Sequence, residues 1–376
     1  MNNKIPDNAY VYYDLQIYNF NNNKSDAKQQ LVFNEARSTY FLNKASDYKM
    51  SIVRFELDCF NTLPVYEAEI MPNQGDPNLT TSTLTLEFDD GVGNVYTTTP
   101  VSVIWVSPDN TTSMPVPPNA TGTGFQTSSP YYYAYSFQYV INLINTALAS
   151  AFTQLQGLVI SGVLKYVEAP FMQWNVDLNT ASLYVRQSLF DQNKFPQIRI
   201  YFNRPLYALF NSFPAIQNSI NTPNNKIYQL SIKSNLANIM YFPQNNNPFI
   251  KLDQEYSTVQ QWSPVSSIVF TSGTLPVNQN QLSSPIQFVN GQVIQLASSN
   301  SYAQPVITDF VADLIYQPSL IYVPSVYRYI TLISDQPLDQ VDITCFWKDK
   351  TGALQPLYLP VGGSCSMKIM FEKIHQ

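Results

Sequence analysis

Short runs in which apolar and polar residues alternate recur along this chain, and that pattern limits its fold more than any other feature. In Met50 to Cys59, Val53, Phe55, Leu57 and Cys59 share one face, and Arg54, Glu56 and Asp58 share the other. Near the other end, Val341, Ile343, Cys345 and Trp347 alternate with Asp342, Thr344 and Lys348, and Met367, Ile369 and Phe371 alternate with Ser366, Lys368 and Glu372. A two-residue period is the signature of a strand with one face buried. The same pattern predicts strands over Tyr10–Tyr18, Ser82–Phe88, Ile198–Phe202, Ile227–Ile232, Pro264–Thr271 and Val326–Ile333. Asp89-Asp90-Gly91 and Asp349-Lys350-Thr351-Gly352 are read as hairpin turns, because Asp and Gly tolerate the backbone angles such turns require. The prolines cluster between the runs, as sheets demand.

Helical spacing shows clearly once. Phe137, Val140, Ile141, Ile144 and Leu148 follow a three-four rhythm that Phe152 extends, with Ser136 placed to cap it. Pro205 to Phe213 is a shorter candidate, with Leu206, Leu209, Phe210 and Phe213 on its apolar side and Pro205 at its start. Both stripes read as core packing.

The middle of the chain is different. Residues 72–130 are rich in polar and turn-forming residues, and Gln244 to Pro248 (QNNNP) forms another polar link. Polar stretches of this length mark insertions or exposed surfaces. The expectation is an all-β protein: one jelly-roll β-sandwich built from residues 1–70 and 255–376. An insertion of residues 71–254, itself β-rich and holding at least one α-helix, interrupts it.

The chemistry is sparse. The 376 residues contain one histidine, His375, and three cysteines, Cys59, Cys345 and Cys365. General bases, metal ligands and activated nucleophiles usually come from these side chains. One His with scattered Cys rules out the usual zinc arrangements, and a triad would have to depend on His375 at a frayed end. Glu35, Glu56, Asp58, Glu67 and Glu69 could supply a glycosidase pair, but no spacing singles one out, and the expected reading is that they are solvated strand edges and turns. Asp89 and Asp90 could contribute to an oxygen-only Ca²⁺ site, although a plain turn accounts for both. There is no GxSxG, Walker A or GxGxxG motif. The expectation is therefore a protein that is not an enzyme and has no cofactor and no metal.

Charged residues make up 12% of the chain, against about 25% in an average globular protein, while Tyr and Phe number 26 and 22. Uncharged polar and aromatic surfaces suit permanent subunit contacts. The net charge is −6 with no basic block, so direct nucleic-acid binding is not expected. No apolar run reaches the ~20 residues of a membrane span. The odd, scattered cysteines fit small buried hydrophobes in a reducing compartment. Tyr131, Tyr132 and Tyr133 follow a Ser/Pro loop and are candidates for an exposed recognition surface, either a sugar platform or a subunit contact. The alternative reading packs two of the three beneath that loop.

Several passages stand out together. They are YVYYDLQIYN, VFNEARSTYFLNKASDYKMSIVRFELD and LPVYEAEI at one end, and SPVSSIVFTSGTLPV and PSVYRYITLISDQPLDQVDITCFWKDKTGALQPLYLPVGGSCSMKIMFEKI at the other. They resemble the penton, or minor capsid, proteins of Sputnik-like virophages and of related Polinton-like viruses. The closing Pro-Leu, Pro-x-Gly-Gly and Ser-x-Lys-Ile-x-Phe passage carries most of the likeness, and the middle matches weakly near YFNRPLYALFNSFP. The resemblance implies a structural virion protein. It would form a homopentamer at the fivefold vertices of an icosahedral shell, beside trimers of a double-jelly-roll major capsid protein. It would be assembled in the host cytoplasm or viral factory, and a host or giant-virus surface glycan is a candidate partner. A jelly-roll carbohydrate- or receptor-binding module remains the alternative.

Overall fold

The structure is a computed structural model, and it describes residues 9–20, 29–72, 75–116, 129–160, 162–242, 247–278, 286–289, 292–295, 306–312 and 319–374. His375 lies outside the described residues, as does most of the QNNNP link. The chain forms two compact units, one of residues 1–63 with 264–376 and the other of residues 64–263.

The first unit is a sandwich of two sheets. One sheet runs in the order Tyr10–Tyr18, Ser364–Lys373, Tyr48–Asp58, Ser319–Tyr322. The other runs Val306–Phe310, Val265–Thr271, Gln340–Asp349, with Val32–Ala36 on the outside. In chain order of the sandwich strands, the sheets are therefore first-eighth-third-sixth and fifth-fourth-seventh-second, all antiparallel. This is the double Greek key of a jelly roll. The last strand lies between the first and the third, so this sheet closes only when both ends of the chain are present.

Inward side chains fill the space between the sheets. Phe55, Phe270 and Phe310 meet at ring-centroid distances of 4.9, 5.8 and 5.8 Å. Phe41 sits between Tyr13, at 5.2 Å, and Phe371, at 5.4 Å. Val341, Ile343, Cys345 and Trp347 all point inward, as their alternation predicts. The Tyr48–Asp58 strand departs from strict alternation. Its pairing with the last strand slips at Val53, so Ile369 faces Ile52 while Lys368 faces Arg54. This β-bulge changes the phase: Met50 and Ile52 fill the core before it, and Phe55 and Leu57 after it. Cys59, expected on the same buried face, is only partly covered, whereas Cys345 and Cys365 are buried. Of the predicted Val326–Ile333 strand, only Ile330–Thr331 pairs, with Met50 and Lys49.

The second unit carries the clear helix, Phe137–Leu158. The Ser136 side chain accepts from the Tyr139 amide, which satisfies one of the free N–H groups of the first turn. The predicted stripe is buried from Phe137 through Phe152, and Leu155 continues it. The helix packs against Phe171–Asn175 of a four-stranded sheet and against Leu79–Asp89 and Val101–Ile104 of a six-stranded one. An aromatic hub forms around Trp262, with Phe210 at 5.1 Å and Phe137 and Trp174 both at 5.6 Å. The helix expected over Pro205 to Phe213 covers Arg204–Leu209, shorter than expected. Asn203 caps it and Phe210 leaves helical geometry, yet Phe210 and Phe213 still reach the core.

Candidate functional site

The tyrosine triplet is folded inward. Ser129 accepts from the Tyr131 amide and starts a tight 3-10 turn over Pro130–Tyr132. Side chains leave such a turn about 120° apart, so neighbouring rings cannot share one outer face. Tyr132 is buried and its hydroxyl donates to the Pro77 carbonyl at 2.9 Å. Tyr133 is buried where Tyr133–Ala134 pairs with Tyr66–Glu67. Tyr131 is half-buried, edge-on to Tyr132 at 5.0 Å, with its hydroxyl on Asn78 Oδ1 at 2.9 Å. The expectation of an exposed recognition surface therefore fails for Tyr132 and Tyr133, and the packed alternative is what the fold adopts.

The carboxylates of the sequence reading fall on different elements of the two units, with Glu69 in the second. Glu35 lies in one sheet of the sandwich, Glu56 and Asp58 in the other, and Glu67 in the second unit. Asp58 caps its own turn by accepting from the Phe60 amide. The Asp90 carboxylate accepts from the Asn94 side chain and from the Val92 and Asn94 amides, and these bonds hold it below the usual range. Among the described residues, no group of three or more His, Cys, Asp and Glu side chains could hold a metal.

One ionisable cluster escaped the sequence reading. Glu87 is buried in the Leu79–Asp89 strand, directly opposite Arg199 in Gln197–Phe202. Arg199 Nη1 lies 2.8 Å from Glu87 Oε1, Lys226 Nζ lies 2.7 Å from Oε2, and the Tyr201 hydroxyl donates to Oε1 at 3.1 Å. Arg199 also reaches Asp89 at 2.9 Å. Burial works to raise the Glu87 carboxyl, but the Lys226 and Arg199 hydrogen bonds outweigh it and hold Glu87 below the ordinary range. Two carboxylates thus meet two cationic side chains in one charge-balanced cluster. Elsewhere in the same unit, a cavity of about 10 Å³ lined by Tyr66, Trp105 and Ile144 has room for about one water. The alternating run Ile198–Phe202 places Arg199 on a polar face, but nothing local in the sequence points to a partner more than a hundred positions away.

The surface best suited to function is the outer face of the sheet that joins the two chain ends. Tyr10, Tyr12 and Tyr18 are exposed along its first strand. The Lys368 ammonium lies 5.2 Å from the Tyr12 ring, and Arg54 lies 3.1 Å from Asp14. Lys49 sits 3.9 Å from the Tyr329 ring and 3.4 Å from Glu372. A hydrogen bond to Glu372 pushes the Tyr329 hydroxyl up to about 12. The Tyr10–Tyr18 strand also forms an edge. Among the described residues its ladder partner is Ser364–Lys373 alone, and none of them pairs with the backbone groups on its other side. A nine-residue open edge beside exposed aromatic rings is a template for association.

Comparison with known proteins decides what kind of assembly this is. Residues 11–373 match the family described as Sputnik minor capsid protein V18/19. The chain belongs to that family. It is 29% identical over 209 residues to structural protein V19 of Sputnik virophage, an overlap of 52% of this chain and 92% of that protein. Among solved structures, it is similar to a chain of the Sputnik virophage determined by cryo-EM. That match has a TM-score of 0.78 and 25% identity, and it covers 97% of this chain and 98% of that one. The mavirus penton protein shares the fold, with a TM-score of 0.60 and 16% identity over 97% of this chain and 99% of that one. The resemblance read from the chain ends is confirmed. The protein is a structural component of a virion, located in its capsid.

Proposed function

We propose that five copies of this protein close into the capsomer at the fivefold vertices of an icosahedral shell, beside trimers of a double-jelly-roll major capsid protein. The observation that carries this reading is the end-to-end likeness to a chain of the Sputnik virophage particle. The open Tyr10–Tyr18 edge and the aromatic outer face beside it supply the sticky flank, and cyclic symmetry closes such heterologous contacts without leaving a free end. In this reading residues 1–63 and 264–376 form the shell module, and residues 64–263 are an insertion carried on it. The protein performs no catalysis. Its buried acids are paired or hydrogen-bonded within the fold, as the Glu87 cluster illustrates. A lectin-like role loses its support with the burial of Tyr132 and Tyr133.

Light scattering on the purified chain, alone and with the major capsid protein, tests the proposal. The expected result is a pentamer that enters shells. Tyr10→Glu with Tyr12→Glu should weaken the ring while leaving the melting temperature almost unchanged, because both side chains are exposed. A chain that remains monomeric and never enters particles would refute the proposal.

A further inference from the structure

We propose that residues 64–263 are an autonomous module, which folds and unfolds as a cooperative unit of its own and takes no part in holding the ring together. Its dispensability to the ring rests on the capsomer reading, whereas its autonomy stands without it. The chain enters and leaves this unit at one place. The Ser263 hydroxyl donates to the Pro64 carbonyl at 3.3 Å, and both residues are buried. A unit whose ends meet can sit inside another fold without pulling the host strands apart. Here it follows Tyr48–Asp58 and precedes Val265–Thr271, the third and fourth strands of the sandwich, which belong to different sheets. It therefore stands where a jelly roll needs only a connecting loop.

The unit is fastened to itself at both ends. On the way in, the Val65 amide donates to the Ala134 carbonyl at 2.9 Å, and the Ala68 amide donates to the Tyr132 carbonyl at 3.0 Å. On the way out, the Thr258 hydroxyl and the Trp262 indole both donate to the Leu209 carbonyl, at 2.6 and 2.7 Å. Between these points its two main sheets draw all their described strands from residues 79–253. One apolar cluster fills it, and every buried member lies between Tyr66 and Trp262. That cluster takes in Ile141, Ile144 and Phe152 from the helix and Leu84, Leu183 and Ile200 from the sheets. The ionic cluster of Glu87, Arg199 and Lys226 belongs to the same unit. A hydrophobic core of its own is what lets a domain fold alone, and about 50–250 residues is the usual size.

The sandwich likewise draws its described strands from residues 10–58 and 265–373. Where each unit has its own core, the loss of one leaves the other standing, and equilibrium unfolding splits into two transitions. The Tyr10–Tyr18 edge is part of the sandwich, so the contacts of the ring go with that unit. The chain also carries a reporter for each. Three of its four tryptophans, Trp105, Trp174 and Trp262, lie in residues 64–263. All three cysteines lie in the other unit, with Cys345 and Cys365 buried. Tryptophan fluorescence therefore follows the module, and thiol labelling follows the sandwich.

The test is a urea titration of the full-length chain read by both reporters. Phe152 is buried, with its ring 6.4 Å from Phe190. Phe152→Ala should lower the fluorescence midpoint by about 2 M and leave the labelling midpoint in place, and Phe55→Ala should do the reverse. Ile144→Val, a milder change in the same core, should move fluorescence alone by about 0.5 M, and it replaces Phe152→Ala if that variant does not fold. Light scattering across the same titration should show a ring midpoint that Phe152→Ala does not move. The proposal is overturned if both reporters shift together in any of these variants, or if Phe152→Ala dissolves the ring. A chain that is monomeric throughout removes the capsomer reading and leaves the two reporters to decide the autonomy.

Discussion

Phe55→Ala tests the joining of the chain ends at its centre. Phe55 is fully buried, and its ring lies 4.9 Å from Phe270 and 5.8 Å from Phe310, residues more than two hundred positions away. Truncating a buried phenylalanine costs about 3–5 kcal/mol, a figure that includes about 0.5–1.5 kcal/mol for each lost ring pair. Whole domains are stable by only about 5–15 kcal/mol, so the loss is severe. With a urea slope of about 2 kcal/mol per molar, the unfolding midpoint should fall by about 2 M. The adjacent Glu56 points outward, so Glu56→Ala should change stability by less than about 0.5 kcal/mol. Urea unfolding followed by circular dichroism reads both variants. A Phe55→Ala cost below about 1 kcal/mol, or a Glu56→Ala cost equal to it, would refute the packing described for this strand.

Other perturbations follow from the same structure. Deleting 366–376 removes the strand paired with both Tyr10–Tyr18 and Tyr48–Asp58. The lost burial of Met367, Ile369, Met370 and Phe371, about 1.5–3 kcal/mol each, should leave insoluble protein, and a soluble, cooperatively unfolding product would contradict the topology. Glu87→Gln leaves Arg199 and Lys226 short of a partner and should cost about 2–4 kcal/mol, measurable by thermal melting. Because the folded-state pKa of Glu87 is held below the ordinary carboxylate value, its stabilisation is complete above about pH 4.3 and fades as the pH falls through the lowered value. Glu87→Gln should therefore flatten the acid limb of a stability-versus-pH curve, and an unchanged limb would count against the cluster. Tyr132→Phe removes only the bond to Pro77 and should cost about 1 kcal/mol, whereas Tyr132→Ala should cost about 3–5 kcal/mol. Equal, small effects would indicate an exposed ring.

Local chemistry was readable where one residue settles one feature. Tyr10–Tyr18 forms the strand its alternation predicts, Ser136 caps the long helix, and Gly91 and Gly352 take the positive φ their turns require. Features that depend on distant partners were not readable. The bulge at Val53 exists because the last strand slips against it, and Val53, Phe55 and Leu57 read as one face without that knowledge. The Pro205 helix ends early because Phe210 turns into the aromatic hub around Trp262. The Glu87 cluster draws on three segments brought together only by the six-stranded sheet. Three consecutive tyrosines could have faced outward or inward, and the 3-10 turn begun by Ser129 decided between them.

A cryo-EM reconstruction of the assembled particle tests the central claim most directly. The account predicts density at every fivefold vertex into which five jelly rolls of this chain fit, each with the Tyr10–Tyr18 edge turned toward a neighbouring copy. Vertices occupied by another protein, with this chain elsewhere in the shell or missing from it, would contradict the account.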